Sequence, residues 1–206
     1  MIGVIHYGMG NISSVLNAFK FIGAEATILQ SPEKMGECDR FVLPGVGAFG
    51  QGIQNLKQSG FADAIQHYVG IEKHPLLGIC LGMQLLATTG TEFGTHTGLG
   101  LIPGIVERLP SNGLRLPHIG WNQTRVLREN PLLPRSPGAP FFHYYVHSYR
   151  FIPEDLSVTI CTCEYGVEFC AGVERENIYG FQFHPEKSQK SGLTILGNFT
   201  QLPVPC

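Results

Sequence analysis

The sequence predicts an α/β protein: an open, mixed, mostly parallel central sheet flanked by helices, with a smaller antiparallel part in the second half. Three observations carry that prediction. Through residues 1–90, short apolar runs alternate with segments of helical periodicity, the pattern of a parallel sheet covered on both faces. The second half carries strand-like runs with few helical segments between them, two of them joined by the short turn Arg175-Glu176-Asn177. The composition, 43% hydrophobic and 15% charged over 206 residues, is that of a folded globular chain long enough to bury a substantial core.

The elements follow in order. IGVIHY opens as an apolar strand that GMGN breaks. Ile12, Val15, Leu16, Phe19 and Ile22 fall near one face of a helix, with Ser13 and Ser14 near its start and Gly23 as its stop. Ala24–Leu29 and Arg40–Leu43 read as the second and third strands, the latter closed by the glycine-rich PGVGAFG. Ile53–Val69 is helical with a break near Gly60. Pro75–Ile79 is a fourth strand, and Leu81–Ala87 begins another helix. In the second half, Ile105–Leu109, Phe141–Val146, Val158–Glu164, Ala171–Arg175 and Ile178–Phe183 read as strands, and Thr194–Phe199 belongs to a closing helix. Asn130–Pro140, NPLLPRSPGAP, reads as a loop. Without a repeat or low-complexity linker, residues 1–206 form a single domain.

Composition excludes several functions. The formal charge is −2 without a basic run, which disfavours nucleic acid and anionic membrane as partners. No stretch approaches the roughly 18 apolar residues of a membrane span. The N-terminus lacks the charged and apolar regions of a secretory signal, so a cytoplasmic location is expected. The six cysteines, Cys38, Cys80, Cys161, Cys163, Cys170 and Cys206, include no CxxC pair, which argues against structural zinc. Cys161 and Cys163 alternate on one face of a strand as packing residues, and Cys38 and Cys206 read the same way.

Cys80 is different. GICLG has the G-x-nucleophile-x-G pattern, placing the thiol on a sharp turn from strand to helix. Such a turn strains the backbone of the nucleophile and crowds its neighbours, so glycines flank it. The helix that follows is expected to bring N–H groups and a positive dipole end to the sulfur, and the Leu81 amide is available for an oxyanion hole. A nucleophilic cysteine needs a base and a group to orient it. In GFQFHPEKS, His184 follows an apolar strand, where open α/β sheets place their sites, and Glu186 is two residues on, able to fix its tautomer. His6, His67, His74, His96, His118, His143 and His147 have no carboxylate so placed. PGVGAFG lacks the GK[ST] of a phosphate loop; its better use is to offer backbone N–H groups to an oxyanion.

Taken together, GICLGMQ, FQFHPEKS and PGVGAFG resemble the class I (triad-type) glutamine amidotransferases. YGMGNISSV, LPHIGWN, YYVHSY and HPEKSQ narrow the resemblance to the glutaminase subunits of imidazole glycerol phosphate synthases, over essentially the whole chain. The resemblance implies the fold of that class and hydrolysis of L-glutamine to glutamate and ammonia. Cys80 would form a γ-glutamyl thioester, His184 would shuttle the protons, and Glu186 would orient His184. Leu81 and the Gly45-Val46-Gly47 loop, after a peptide rearrangement, would hold the oxyanion. Gln84 and Glu92 would hold the amino-acid end of glutamine, helped by the backbone of Ser148 and Tyr149. It implies no metal and no organic cofactor. It implies a heterodimer with a (β/α)8-barrel cyclase that receives the ammonia and makes imidazole glycerol phosphate and AICAR from PRFAR. His118, Trp121, Asn122, Tyr144 and Lys187 match positions at or near that interface.

Two departures from the resemblance stand out. His6 replaces the usual Asp, at a position not expected to do chemistry, and ATTGTEFGTHTGLG has fewer acidic residues than the family, which softens the assignment of Glu92. Three alternatives remain open: a paralogous glutaminase feeding another synthase, such as one amidating surface-polysaccharide sugars; a stand-alone cysteine γ-glutamyl hydrolase; and a non-catalytic binding protein with the same fold.

Overall fold

The computed structural model describes residues 1–110, 112–133 and 141–205. Cys206 and the 134–140 part of the predicted proline-rich loop lie outside them. The elements are β1 (Ile2–Ile5), α1 (Ile12–Phe21), β2 (Ala26–Leu29), β3 (Arg40–Gly45), α2 (Phe49–Gln58), α3 (Phe61–Ile65), β4 (Leu76–Cys80), α4 (Leu81–Gln84), β5 (Thr89–Gly90), β6 (His96–Thr97) and β7 (Gly104–Arg108). They continue with β8 (His118–Val126), β9 (Phe141–His147), β10 (Tyr149–Pro153), β11 (Thr159–Tyr165), β12 (Val167–Arg175), β13 (Ile178–Phe181) and α5 (Gln189–Thr200).

Nine strands form one sheet in the order β2-β1-β3-β4-β13-β12-β11-β8-β9. The first five run parallel, and from β13 outward the pairings are antiparallel. This is the expected mixed sheet, but its antiparallel part is larger than expected, with four antiparallel pairings beside four parallel ones. β10-β7-β5-β6 form a second, small sheet. The parallel strands are apolar on both faces because both faces are covered. Along β3, Phe41 and Leu43 enter one core with residues of α2 and α3, while Val42 enters the other with Ile12, Val15 and Phe19 of α1 and Phe199 of α5.

Local chemistry explains the boundaries. The side chain of Asn11 accepts a hydrogen bond from the Ser14 amide and caps α1, and Gly23 follows its end at φ +75°. The predicted break in the second helix is real: Gly60 adopts φ +79° between α2 and α3. That helix starts earlier than predicted, at Phe49, because Gly50 and Gly52 hide its periodicity; a Cβ at Gly52 would lie 3.2 Å from Leu85. The helix expected over Leu81–Ala87 is a single turn. After Gln84 the chain tightens, Leu86 and Ala87 donating to Met83 and Gln84, and Thr88 is then captured by the Gly104 carbonyl. β8 and β10 are strands that the sequence pattern does not predict. β8 disguises itself, since His118 and Thr124 point inward while Ile119 and Trp121 are exposed.

Candidate functional site

Three adjacent parallel strands, β3, β4 and β13, end at the same edge of the sheet. Gly45 is in register with Cys80, and Phe181 with Ile79, so the glycine loop, the thiol and His184 emerge side by side. This is where open parallel sheets place their sites.

Cys80 sits on a strained turn, at φ 55° and ψ −109°, a conformation costly for a residue with a Cβ. Its flanking glycines are obligatory. A Cβ on Gly82 would fall 1.7 Å from the Leu43 carbonyl oxygen, and one on Gly78 would fall 2.8 Å from the backbone of Gly82. Gly45 packs as tightly, its notional Cβ lying 2.8 Å from Leu81 and 2.9 Å from the Gly82 nitrogen. Gly45 therefore lies against the first residues of α4; beyond it Gly47 has φ +110° and Val46 is exposed. The expected dipole contribution is small, because α4 has only four residues.

His184 is held from three sides. Its backbone N–H donates to the Tyr144 carbonyl at 2.9 Å, its carbonyl accepts from Ser188 Oγ at 2.7 Å, and its Nδ1 lies 2.8 Å from Glu186 Oε1. A 3₁₀ turn over Pro185–Lys187 folds Glu186 back under the ring. Both side chains of the pair are 2% exposed. Burial by itself lowers the proton affinity of His184, but Cys80 and Glu186, through hydrogen bonding and charge, reverse this and raise its pKa to about 10. In the resting geometry His184 Nε2 makes no hydrogen bond. The Cys80 thiol donates toward the Val146 carbonyl, 3.7 Å away.

Gln84 is buried on α4. Its Nε2 donates to the Tyr149 carbonyl at 3.1 Å and to Gln182 Oε1 at 2.9 Å. The Ser148 carbonyl accepts from the Leu109 amide. Glu92 stands elsewhere: its carboxylate accepts from the Phe49 amide at 2.9 Å, capping α2. It lines an open groove of about 610 Å³ with Ala48, Gly50 and His96; Cys80 is not part of that groove. Among the described residues no three His, Cys, Asp or Glu side chains converge as metal ligands. Cys161, Cys163 and Cys170 are buried thiols whose pKa burial pushes up, to about 12 for the last two, as packing residues require.

The remaining motif residues meet on β8 and β9. Trp121 is 48% exposed and stands edge-on to Tyr144 across the strand pair, with Lys187 Nζ 5.9 Å from the Tyr144 ring. With exposed Ile119 and Phe142 they form an apolar outer face. His118 is buried behind it, stacked on Tyr145 and Tyr165. A carbonyl only accepts, so His147 donates from Nδ1 to Tyr149; its Nε2 then accepts from His118 Nδ1, and His118 Nε2 accepts from Asn122. Both rings are neutral, burial lowering their pKa values to about 4 and about 3.

Sequence reasoning missed Gln182, Ser188 and Tyr7. Ser188, fully buried, also accepts from the Tyr144 amide. The buried Tyr7 hydroxyl has no hydrogen-bond partner and lies 2.6 Å from the notional Cβ of Gly45. All three are polar residues fully or nearly buried beside apolar ones.

Residues 4–201 match the family model of the class-I glutamine amidotransferases. A curated relative from Geobacter sulfurreducens, "Imidazole glycerol phosphate synthase subunit HisH", is 47% identical over 98% of both chains. A protein of the same name from Syntrophotalea carbinolica is 45% identical over 97% of this chain and 98% of its own. In fold the chain is similar to the structure of PurLQS from Thermotoga maritima (TM-score 0.77, 18% identity, 97% and 96% covered) and to that of a glutamine amidotransferase (TM-score 0.75, 20% identity, 97% and 98% covered).

Proposed function

The chain belongs to the class-I glutamine amidotransferase family, and from that premise we propose how its residues divide the work. It is a glutaminase subunit of imidazole glycerol phosphate synthase, serving histidine biosynthesis, a reading supported by near-full-length relatives of that name. The observation that carries the chemistry is the juxtaposition of Cys80, at the strained end of β4, with the buried His184–Glu186 pair beside it.

Cys80 gives its proton to His184 Nε2 and attacks the side-chain carbonyl carbon of glutamine. The oxyanion is held by the Leu81 amide and an amide of the Gly45-Val46-Gly47 loop. The C–N bond breaks as His184 returns the proton to the leaving nitrogen, releasing ammonia and leaving a γ-glutamyl thioester. His184 then takes a proton from water, which attacks the thioester; glutamate departs and the thiol is restored. Glu186 holds Nδ1–H and stabilises the imidazolium in both halves of the cycle. Oε1 of Gln84 and the carboxylate of Glu92 are the groups assigned to the amino-acid end of glutamine, with the Ser148–Tyr149 backbone.

The partner is a (β/α)8-barrel cyclase, docked on the Ile119, Trp121, Tyr144 and Lys187 face, with Asn122 and the buried His118 behind it. Aromatic anchors of this kind suit an interface core. A direct path for ammonia keeps it unprotonated and nucleophilic. The chain acts as one domain in the cytoplasm; no helix among the described residues is long and apolar enough to cross a membrane.

The test is glutamate release by the purified chain, alone and with the barrel cyclase and its nucleotide ligand. Strong stimulation, abolished in Cys80→Ala, is expected. Cys80-dependent turnover that the cyclase leaves unchanged would remove this partner from the reading.

A further inference from the structure

One fully buried polar side chain beside the nucleophile has no place in that scheme. Gln182 continues β13 toward His184, its backbone amide donating to the Ala171 carbonyl at 2.9 Å. Its side-chain orientation is fixed by a chain of donors. The Tyr149 carbonyl only accepts, so the nitrogen of Gln84 must face it. The same nitrogen donates to Gln182 Oε1 at 2.9 Å. Gln182 therefore presents its own Nε2 to Cys80 Sγ, 3.7 Å away.

The sulfur thus sits between an acceptor, the Val146 carbonyl, and a donor, the Gln182 amide. The two contacts respond oppositely to ionisation. A thiol can use both. A thiolate has no proton for Val146, and the carbonyl then repels it, whereas the Gln182 N–H contact becomes charge-assisted and strengthens. We infer that Gln182 is a further residue of the glutaminase site, which draws the ionised sulfur off the Val146 carbonyl and holds it in register with Gln84. This rests on the reading of Cys80 as the nucleophile. The titratable groups coupled to the sulfur, His184 and Tyr7, and Glu186 behind His184, are left in place by the variants that test it.

Gln182→Met keeps the length of the side chain without a donor. Gln182→Glu keeps the acceptor for Gln84 and sets an anion beside the sulfur. The full chain is assayed with its barrel partner for glutamate release and, separately, for the rate at which iodoacetamide alkylates Cys80. Gln182→Met is expected to lower both kcat and the alkylation rate by roughly tenfold, with little change in KM, and Gln182→Glu to lower both further. Alkylation and kcat within about twofold of the parent in Gln182→Met would overturn the inference. So would a loss of kcat in either variant with alkylation unchanged, since that marks a packing role only. Cys80→Ala separates the two readings. Activity surviving in Cys80→Ala removes the nucleophile and this inference together; its loss there, with a fully active Gln182→Met, removes the inference alone.

Discussion

Four histidines are buried close together in this fold, and they treat protons in opposite ways. His184, at the end of the parallel strands, has a carboxylate 2.8 Å from Nδ1 and the thiol of Cys80 nearby; its pKa is raised to about 10. His118, His143 and His147, on the antiparallel β8–β9 pair, are buried with no carboxylate partner, and burial takes them to about 4, 4 and 3, the last lowered also by the charge of His184. Burial alone strips the proton from imidazole, and one buried carboxylate with a nearby sulfur reverses the sign. A charged imidazole and a set of neutral hydrogen-bonding rings are thus made from the same residue within one sheet.

The largest effect comes from erasing the distinction. Glu186→Gln takes away the carboxylate partner of His184 Nδ1, leaving Cys80 beside the ring, and kcat/KM for glutamine is expected to fall by roughly a thousandfold or more. An NMR titration of the His184 ring should show its pKa falling from about 10, with the part of the elevation due to Cys80 retained. An unchanged value would mean that the carboxylate does not set the difference.

Acid and alkali separate the two kinds of histidine further. His118, His143 and His147 bind protons less readily folded than unfolded, so folding stability falls as pH drops from 6.5 toward about 4. Urea titrations at about pH 5 should show a loss on the order of 1–2 kcal/mol per histidine. His184 has the opposite sign. Its contribution is complete below 6.5 and is lost as pH rises through about 10, and Glu186→Gln should reduce that alkaline loss.

The smallest effect is within the neutral row. His147→Phe takes the acceptor from His118 Nδ1–H and should cost about 1–3 kcal/mol of stability. Asn122→Ala, at the half-exposed end, should cost about 1 kcal/mol or less. Equal losses would show that burial does not grade the relay.

The same contrast marks what a sequence discloses. The site at the strand ends was legible because its determinants are local: two glycines that admit a strained cysteine, and a two-residue spacing that a 3₁₀ turn closes. β8 was not, because the polar His118 and Thr124 point inward while Ile119 and Trp121 point outward, which breaks the usual alternation. Gln182 stayed hidden for a related reason. Between Phe181 and Phe183 it reads as the solvent-facing residue of an alternating strand, but in a sheet covered on both sides the opposite face is also interior. The helix after Cys80 looks long because Leu81–Ala87 is apolar except for Gln84, and such a run fits a buried coil as well as a helix. Glu92 matched in position, yet its observed contact is with the start of α2.

Strand β9 divides its duties between backbone and side chains. Its main chain holds the site, the Val146 carbonyl receiving the thiol and the Tyr144 peptide gripping His184 and Ser188. Its outward side chains, Phe142, Tyr144 and Val146, belong to the exposed face. Any residue that keeps the strand extended supplies the same carbonyls. Substitution at those three outward positions can therefore change this face while the carbonyls stay fixed, so under the docking proposed above it is the place to retarget the subunit. An insertion or deletion in β9 would shift both duties at once, so its length is far less free to vary than its outward side chains.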